Sequence, residues 1–235
     1  MLIDIGQAVQ EPVILGSLKR MGITSLDYMV FTHPHSDHLG GVFGSDSTFL
    51  DEISVGHVFY DDGKYPDNSL VGVVERGCEA RGISYSSLKK GDVLTIGCVT
   101  LNVLWPNAGL TEEELAAEDA ENKNSMVIRF DYGEHSALFT ADIYTATETK
   151  LRELYTNGEL DADLMKVPHH GIGQSSLAFI QAVSPEIAVS TGYHEISTDI
   201  SARYIAENVT LLEDLYHGYI HIASGTDGVM SVETE

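Results

Sequence analysis

The apolar run Leu26-Asp27-Tyr28-Met29-Val30-Phe31 leads directly into Thr32-His33-Pro34-His35-Ser36-Asp37-His38-Leu39-Gly40-Gly41. A short apolar stretch bounded by turn residues reads as a buried strand. Three histidines and an aspartate then crowd into positions 33 to 38, at the strand's C-terminal end. Upstream, Met1-Leu2-Ile3-Asp4-Ile5-Gly6 reads as a short buried strand closed by an Asp-x-Gly turn, and a helix follows from Val13 to Met21, stopping at Gly22. Strand, helix, strand is a crossover unit that favours parallel pairing. Open α/β sheets place their sites in loops beyond the C-terminal strand ends, where this cluster lies.

Further strands are expected at Val55 to Tyr60, Val93 to Ile96, Val99 to Leu104, Met126 to Tyr132, Ala137 to Thr140, Leu164 to Val167, Ile187 to Ser190 and Tyr219 to Ala223. Helical patterns fall at Leu70 to Arg81, Thr147 to Tyr155, Ser175 to Val183 and Ser201 to Asn208. The acidic stretch Thr111 to Glu121, with Thr111 and Glu114 spaced as a capping box, is expected to form an exposed short helix. Many strands with interspersed helices indicate a layered α/β domain, taken as one unit over residues 1–235.

Thirteen Lys and Arg stand against 36 Asp and Glu, a net charge of −23 that repels polyanions at long range. Cys78 and Cys98 lack any metal-site or disulfide spacing and are read as free, buried thiols. The sequence has no apolar run of membrane-spanning length and no leader pattern at its start, so a cytoplasmic protein is the default expectation, unless the chain is a fragment.

His33, His35, Asp37 and His38 offer lone pairs to one small volume, with Pro34 and Gly40-Gly41 constraining the backbone around them. Imidazole and carboxylate donors suit Zn, Mn or Fe, and the lack of thiolates disfavours a closed structural zinc site. The bland alternative is a polar surface loop. Two more strands deliver ligand types at their ends: Ala137-Leu138-Phe139-Thr140-Ala141-Asp142, and Leu164-Met165-Lys166-Val167-Pro168-His169-His170-Gly171. A lone Asp after a strand is usually a turn or cap. Three such strand ends together make a metal site the stronger reading.

The THPHSDHLGG element matches the HxHxDH signature of the metallo-β-lactamase superfamily of metal-dependent hydrolases. Leu2-Ile3-Asp4-Ile5-Gly6, Leu104-Trp105-Pro106, Asn124-Ser125-Met126-Val127, Leu138 to Asp142, and Lys166-Val167-Pro168-His169-His170-Gly171 with Ser175-Ser176 follow in an order that resembles the C-terminal domain of ComEC-type competence proteins and their free-standing relatives. The resemblance implies a four-layer αβ/βα sandwich and two divalent ions, Zn or Mn. It implies that His33 and His35 hold one ion, that Asp37 and His38 hold the other, and that Asp142 bridges them. One histidine of the His169-His170 pair would complete the second site; the resemblance does not choose between them, and His169 is taken as the expected ligand, with His170 then touching substrate or orienting a ligand. Lys166, Asn124 and His194 are further substrate-contacting or alternative ligand candidates.

This sequence departs from the family in three places. The stretch Ser190-Thr191-Gly192-Tyr193-His194-Glu195-Ile196-Ser197 lacks the usual Gly-His-Pro, and His194 either replaces that histidine or is a surface residue. A third histidine for the first ion has only His57 and His135 as candidates, both read as bystanders. Relatives usually carry two or more strands ahead of Leu2-Ile3-Asp4, so either the chain is trimmed or one sheet lacks its outer strands, which would leave an edge open to pairing.

The resemblance implies hydrolysis by a metal-activated hydroxide, with Asp37 orienting or deprotonating the water. No Gly-x-Ser-x-Gly elbow offers a serine nucleophile. The expected substrate is a phosphodiester or phosphoester. With −23 net charge and only Lys123, Arg129 and Lys166 near the motifs, a small or short phosphoester is favoured over long nucleic acid. The alternatives are a lactone, thioester or β-lactam hydrolase, or a degenerate metal-binding module.

Overall fold

Leu2–Ile3 (β1), Ser25–Phe31 (β2), Ser54–Asp61 (β3) and Ser84–Leu88 (β4) pair in the order β1-β2-β3-β4, every neighbour parallel. The computed structural model describes residues 1–44, 47–63, 69–106, 119–192, 194–225 and 229–235. The chain divides into two compact units, the first formed by Met1–Lys89 with Pro106–Asn124, the second by Lys90–Trp105 with Ser125–Glu235.

In the first unit β2 is an internal strand, and its C-terminal half Met29-Val30-Phe31 is buried without alternation, as parallel strands covered on both faces are. The crossover between β1 and β2 is the helix Glu11–Arg20, which opens with Pro12 in its first turn, ends on Lys19 and Arg20, and buries Leu15 and Leu18. The helix Leu70–Arg81 matches the expected span; the Ser69 hydroxyl accepts the Gly72 N–H at 3.1 Å, and Gly82, left-handed at φ 67°, ends it. Met29, Phe31, Phe49, Val58 and Cys78 form its core, and truncating a side chain such as Phe31 to Ala costs about 3–5 kcal/mol.

The second unit carries a sheet in the order β11-β10-β9-β8-β7-β6-β5, from Val93–Ile96 (β5), Val99–Trp105 (β6), Val127–Tyr132 (β7), His135–Phe139 (β8), Leu164–Lys166 (β9), Ile187–Ser190 (β10) and Thr210–Glu213 (β11). Strands β5 to β8 run antiparallel to their neighbours and β8 to β11 run parallel. Helices Thr145–Leu154, Leu177–Val183 and Thr198–Ala206 bury Leu151, Phe179, Ile180, Ile200 and Tyr204 with Leu138, Met165 and Ala188. A separate antiparallel pair, Ile220–Ser224 (β12) and Met230–Thr234 (β13), follows.

The sequence expectation for the cysteines needs one correction. Cys78 is buried, but Cys98 is exposed, because Ile96 pairs with Val99 and leaves Gly97-Cys98 as the tip of a two-residue hairpin. The acidic stretch expected as a helix from Thr111 lies outside the described residues up to position 118; beyond it Ala120–Lys123 forms one helical turn.

Candidate metal centre

In the first unit β2 ends at Phe31 and hands over to Thr32 and His33, both 1% exposed. His35 is the extended residue before the short helix Ser36–Leu39, which carries Asp37 half-buried and His38 buried. Asp4, at φ 53°, turns its carboxylate beneath this loop. Its Oδ1 accepts the Thr32 N–H at 2.8 Å, and its Oδ2 accepts the Thr32 hydroxyl at 2.8 Å and lies 2.6 Å from His38 Nδ1. A carboxylate facing a ring nitrogen at that distance accepts from it, so Nδ1 carries the proton and Nε2 is left as the ligand atom. Histidines that bind metals are oriented in this way by a carboxylate behind the ring.

The His33 ring lies 4.0 Å from that of His38 and 4.6 Å from that of His35, centroid to centroid. His35 Nε2 meets Glu121 Oε2 at 3.0 Å, a partly exposed pair. Asn124, just after the Ala120–Lys123 turn, is 3% exposed. His57 Nε2 pairs with the Ser86 hydroxyl at 2.9 Å, and burial lowers the His57 pKa from its ordinary value.

In the second unit Asp142 follows β8 through Ala141, at φ 46°, and is 1% exposed. Its backbone N–H donates to the Ser125 hydroxyl at 3.1 Å. Lys166 Nζ donates to the carbonyls of Ala141 at 3.0 Å and Val167 at 3.1 Å and stands 3.5 Å from Asp142 Oδ1. His169 and His170 both take left-handed backbone conformations, φ 46° and 54°, a costly geometry that persists where its surroundings over-determine it. His170 Nε2 lies 3.2 Å from Asp142 Oδ2, while His169 Nε2 is 3.9 Å away and its ring stacks on Tyr144.

The Nδ1 of His170 donates to the Thr191 carbonyl. A neutral His170 therefore aims an Nε2 lone pair at a carboxylate oxygen, two acceptors facing each other at 3.2 Å. A divalent ion between them would turn that repulsion into shared coordination, as the Lys166 ammonium beside Asp142 offsets it in part. The donor set thus fits a divalent ion by its chemistry, with His170 the better placed of the pair relative to Asp142.

The loop after these histidines is tied down from below. Glu148, fully buried on helix Thr145–Leu154, accepts the N–H groups of Ser175 at 2.7 Å and Ser176 at 2.9 Å. Arg203 donates to the carbonyls of Gln174 and Ser175, and the Tyr204 hydroxyl donates to Ser175 Oγ at 3.1 Å. Burial pushes the Tyr204 hydroxyl pKa up. Asp214 sits behind Gly192, and burial raises its pKa while the Gly192 N–H, His170 and Lys166 pull the other way. His194 is exposed, and His135, at the start of β8, lies 3.8 Å from Asp163.

Sequence reasoning gave no role to Asp4, Glu148 or Asp214. Asp4 stood within the Leu2 to Gly6 element but read only as a turn. The other two carry no local signal, because their partners lie more than 20 residues away.

A family model described as the metallo-beta-lactamase superfamily matches residues 1–190. The chain belongs to the metallo-β-lactamase superfamily, a class of metal-dependent hydrolases whose members typically bind divalent metals. Within that class it is similar to ComE operon protein 3 of Bacillus subtilis, 28% identical over 180 residues that make up 76% of this chain and 21% of that protein. Competence protein ComA of Neisseria gonorrhoeae is 26% identical over 237 residues, 97% of this chain and 30% of that protein. The chain therefore spans less than a third of the length of either relative. In fold it resembles the metallo-beta-lactamase fold protein YhfI from Bacillus subtilis, with a TM-score of 0.54 at 13% identity, covering 98% of this chain and 86% of that one. Among the described residues no helix is long and apolar enough to cross a membrane.

Proposed function

We propose that the two units act as a single hydrolase domain on phosphodiesters or other phosphoesters, using two divalent ions, Zn or Mn. His33 and His35 would hold one ion, Asp37 and His38 the other, with Asp142 shared. The geometry within the second unit favours His170 over His169 as the remaining ligand, which leaves His169, Lys166 and Asn124 for substrate contact. The observation that carries this reading is the pair of oriented imidazoles: Asp4 behind His38 and the Thr191 carbonyl behind His170 both claim Nδ1 and leave Nε2 for a metal. When bound, such ions polarise the scissile group and lower the pKa of a water. The protein's own contribution is Asp37, a carboxylate able to accept a proton from that water.

A net charge of −23 favours a small or short substrate, since long nucleic acids are usually gripped by Lys and Arg on phosphate. The competence relatives favour a nucleic acid as the source of the phosphodiester, and a short single strand meets both observations.

The test is hydrolysis of a chromogenic bis-aryl phosphodiester with added Mn or Zn, beside the Asp37→Ala variant and a chelated control. The expected result is metal-dependent turnover that falls about 10²-fold or more in the variant. Turnover of a lactone, thioester or β-lactam in place of the phosphodiester would move the protein to carbonyl chemistry; turnover of neither would leave a metal-binding module.

A further inference from the structure

The ring of His170 is held by a chain of contacts that ends 44 residues away. Strand β10 pairs in parallel with β11, Ser190 opposite Glu213, so the residues just beyond each strand lie side by side. There both carboxylate oxygens of Asp214 accept the single N–H of Gly192, at 3.0 and 3.1 Å. The residue before Gly192 supplies the carbonyl that receives the His170 Nδ1 proton, and the residue before that, Ser190, donates its hydroxyl to the His170 carbonyl at 3.0 Å. Gly192 stands at φ 152°, and a Cβ there would come within 3.2–3.3 Å of Cβ, Cγ and Nδ1 of His170. The backbone at 192 is therefore pressed against the imidazole it serves.

We propose that Asp214 is a positioning residue for His170: by fixing Gly192 it aims the Thr191 carbonyl at Nδ1, and so holds the ring with Nε2 toward Asp142. The inference rests on the reading of His170 as a metal ligand. A peptide plane has one soft rotation on either side. Thr191 C=O and Gly192 N–H belong to the same plane, so holding the N–H sets the direction of the carbonyl. Outer groups that orient a metal-binding histidine matter about 10–100-fold in metal affinity.

The experiment compares the whole chain with Asp214→Ala, Asp214→Asn and Gly192→Ala. It reads two quantities: the His170 tautomer from ring ¹⁵N shifts of the metal-free protein, and the affinity for Zn by competition with a chromogenic chelator. Asp214→Ala is expected to convert a fixed Nδ1–H tautomer into a mixture and to weaken Zn binding about 10-fold. Asp214→Asn keeps one acceptor oxygen and restores most of both. Gly192→Ala pushes on the ring directly and is expected to disturb both, which keeps the test open should Asp214→Ala not fold. An unchanged His170 tautomer in folded Asp214→Ala would overturn the proposal, as would a tautomer lost equally in the Asn variant. A wild-type protein that binds no Zn, yet whose tautomer still depends on Asp214, would remove the hydrolase reading and leave the positioning role standing.

Discussion

His38 Nδ1 lies 2.6 Å from Asp4 Oδ2, with the same carboxylate oxygen 2.8 Å from the Thr32 hydroxyl. One acidic side chain from the end of β1 thereby fixes both the first residue of the histidine loop and the orientation of its last histidine. The contact joins residues 34 positions apart, and β1 brings them together by pairing with β2 in register Leu2 to Met29 and Ile3 to Val30.

Replacing Asp4 by Ala is expected to lower metal affinity about 10–100-fold, because His38 loses the group that fixes its tautomer. It also leaves the Thr32 N–H without its acceptor, a cost of about 1–3 kcal/mol. Equilibrium dialysis and urea unfolding read the two separately. Unchanged metal affinity in a folded variant would detach Asp4 from the centre.

Glu148→Leu removes a buried carboxylate that accepts two backbone N–H groups. Two orphaned donors at about 1–3 kcal/mol each predict a loss of about 2–6 kcal/mol in stability. Glu148→Gln keeps one good acceptor and is expected to fall between that variant and the wild type. Thermal melts of the metal-free proteins check the order.

Lys166→Met takes a cation from beside the buried carboxylate of Asp142. The metal-free protein is expected to lose about 1–3 kcal/mol, less than the ~3–5 kcal/mol of a fully desolvated pair, because the Lys166 side chain is still 13% exposed and its ammonium is not wholly stripped of water. Added Zn or Mn then stabilises the variant more than the wild type, since the ion supplies the missing positive charge. Equal metal-induced rises in Tm would argue against an ion at Asp142.

The two thiols are expected to differ in reactivity. Cys98 is exposed and should react with an aromatic disulfide reagent in the native protein, while Cys78 should react only on unfolding. Burial pushes the Cys78 thiol up to about 12, from an ordinary value near 9. In the unfolded chain it ionises from about pH 9, whereas in the fold it stays protonated. Its contribution is therefore full below pH 9 and is lost as pH rises toward 12. Stability that rose with pH over that window would contradict this burial.

The strands with dense apolar content were legible in advance: β2, β3, β5, β6 and β7 fall within a residue or two of their expected limits. β4, Ser84-Tyr85-Ser86-Ser87-Leu88, was not, because at the edge of its sheet it exposes or half-exposes all but one residue and carries no apolar signature. β11 is four residues long and β13 is mostly exposed, so both owe their form to a partner strand more than to their own pattern.

The sequence by itself determined which side chains of metal-ligand type stand at the strand ends. His33, His35, Asp37 and His38 follow one strand, Asp142 another, and His169 with His170 a third, because strand and turn are encoded locally and the chemistry of each side chain goes wherever its strand ends. What only the tertiary structure decided is which nitrogen His38 and His170 offer. That choice depends on Asp4 behind His38 and on Thr191, Gly192 and Asp214 behind His170, partners separated by 21 to 44 residues and joined only once parallel strands are in register. A tautomer is set by whatever faces the other nitrogen, and for His38 and His170 that group comes from the end of a different strand.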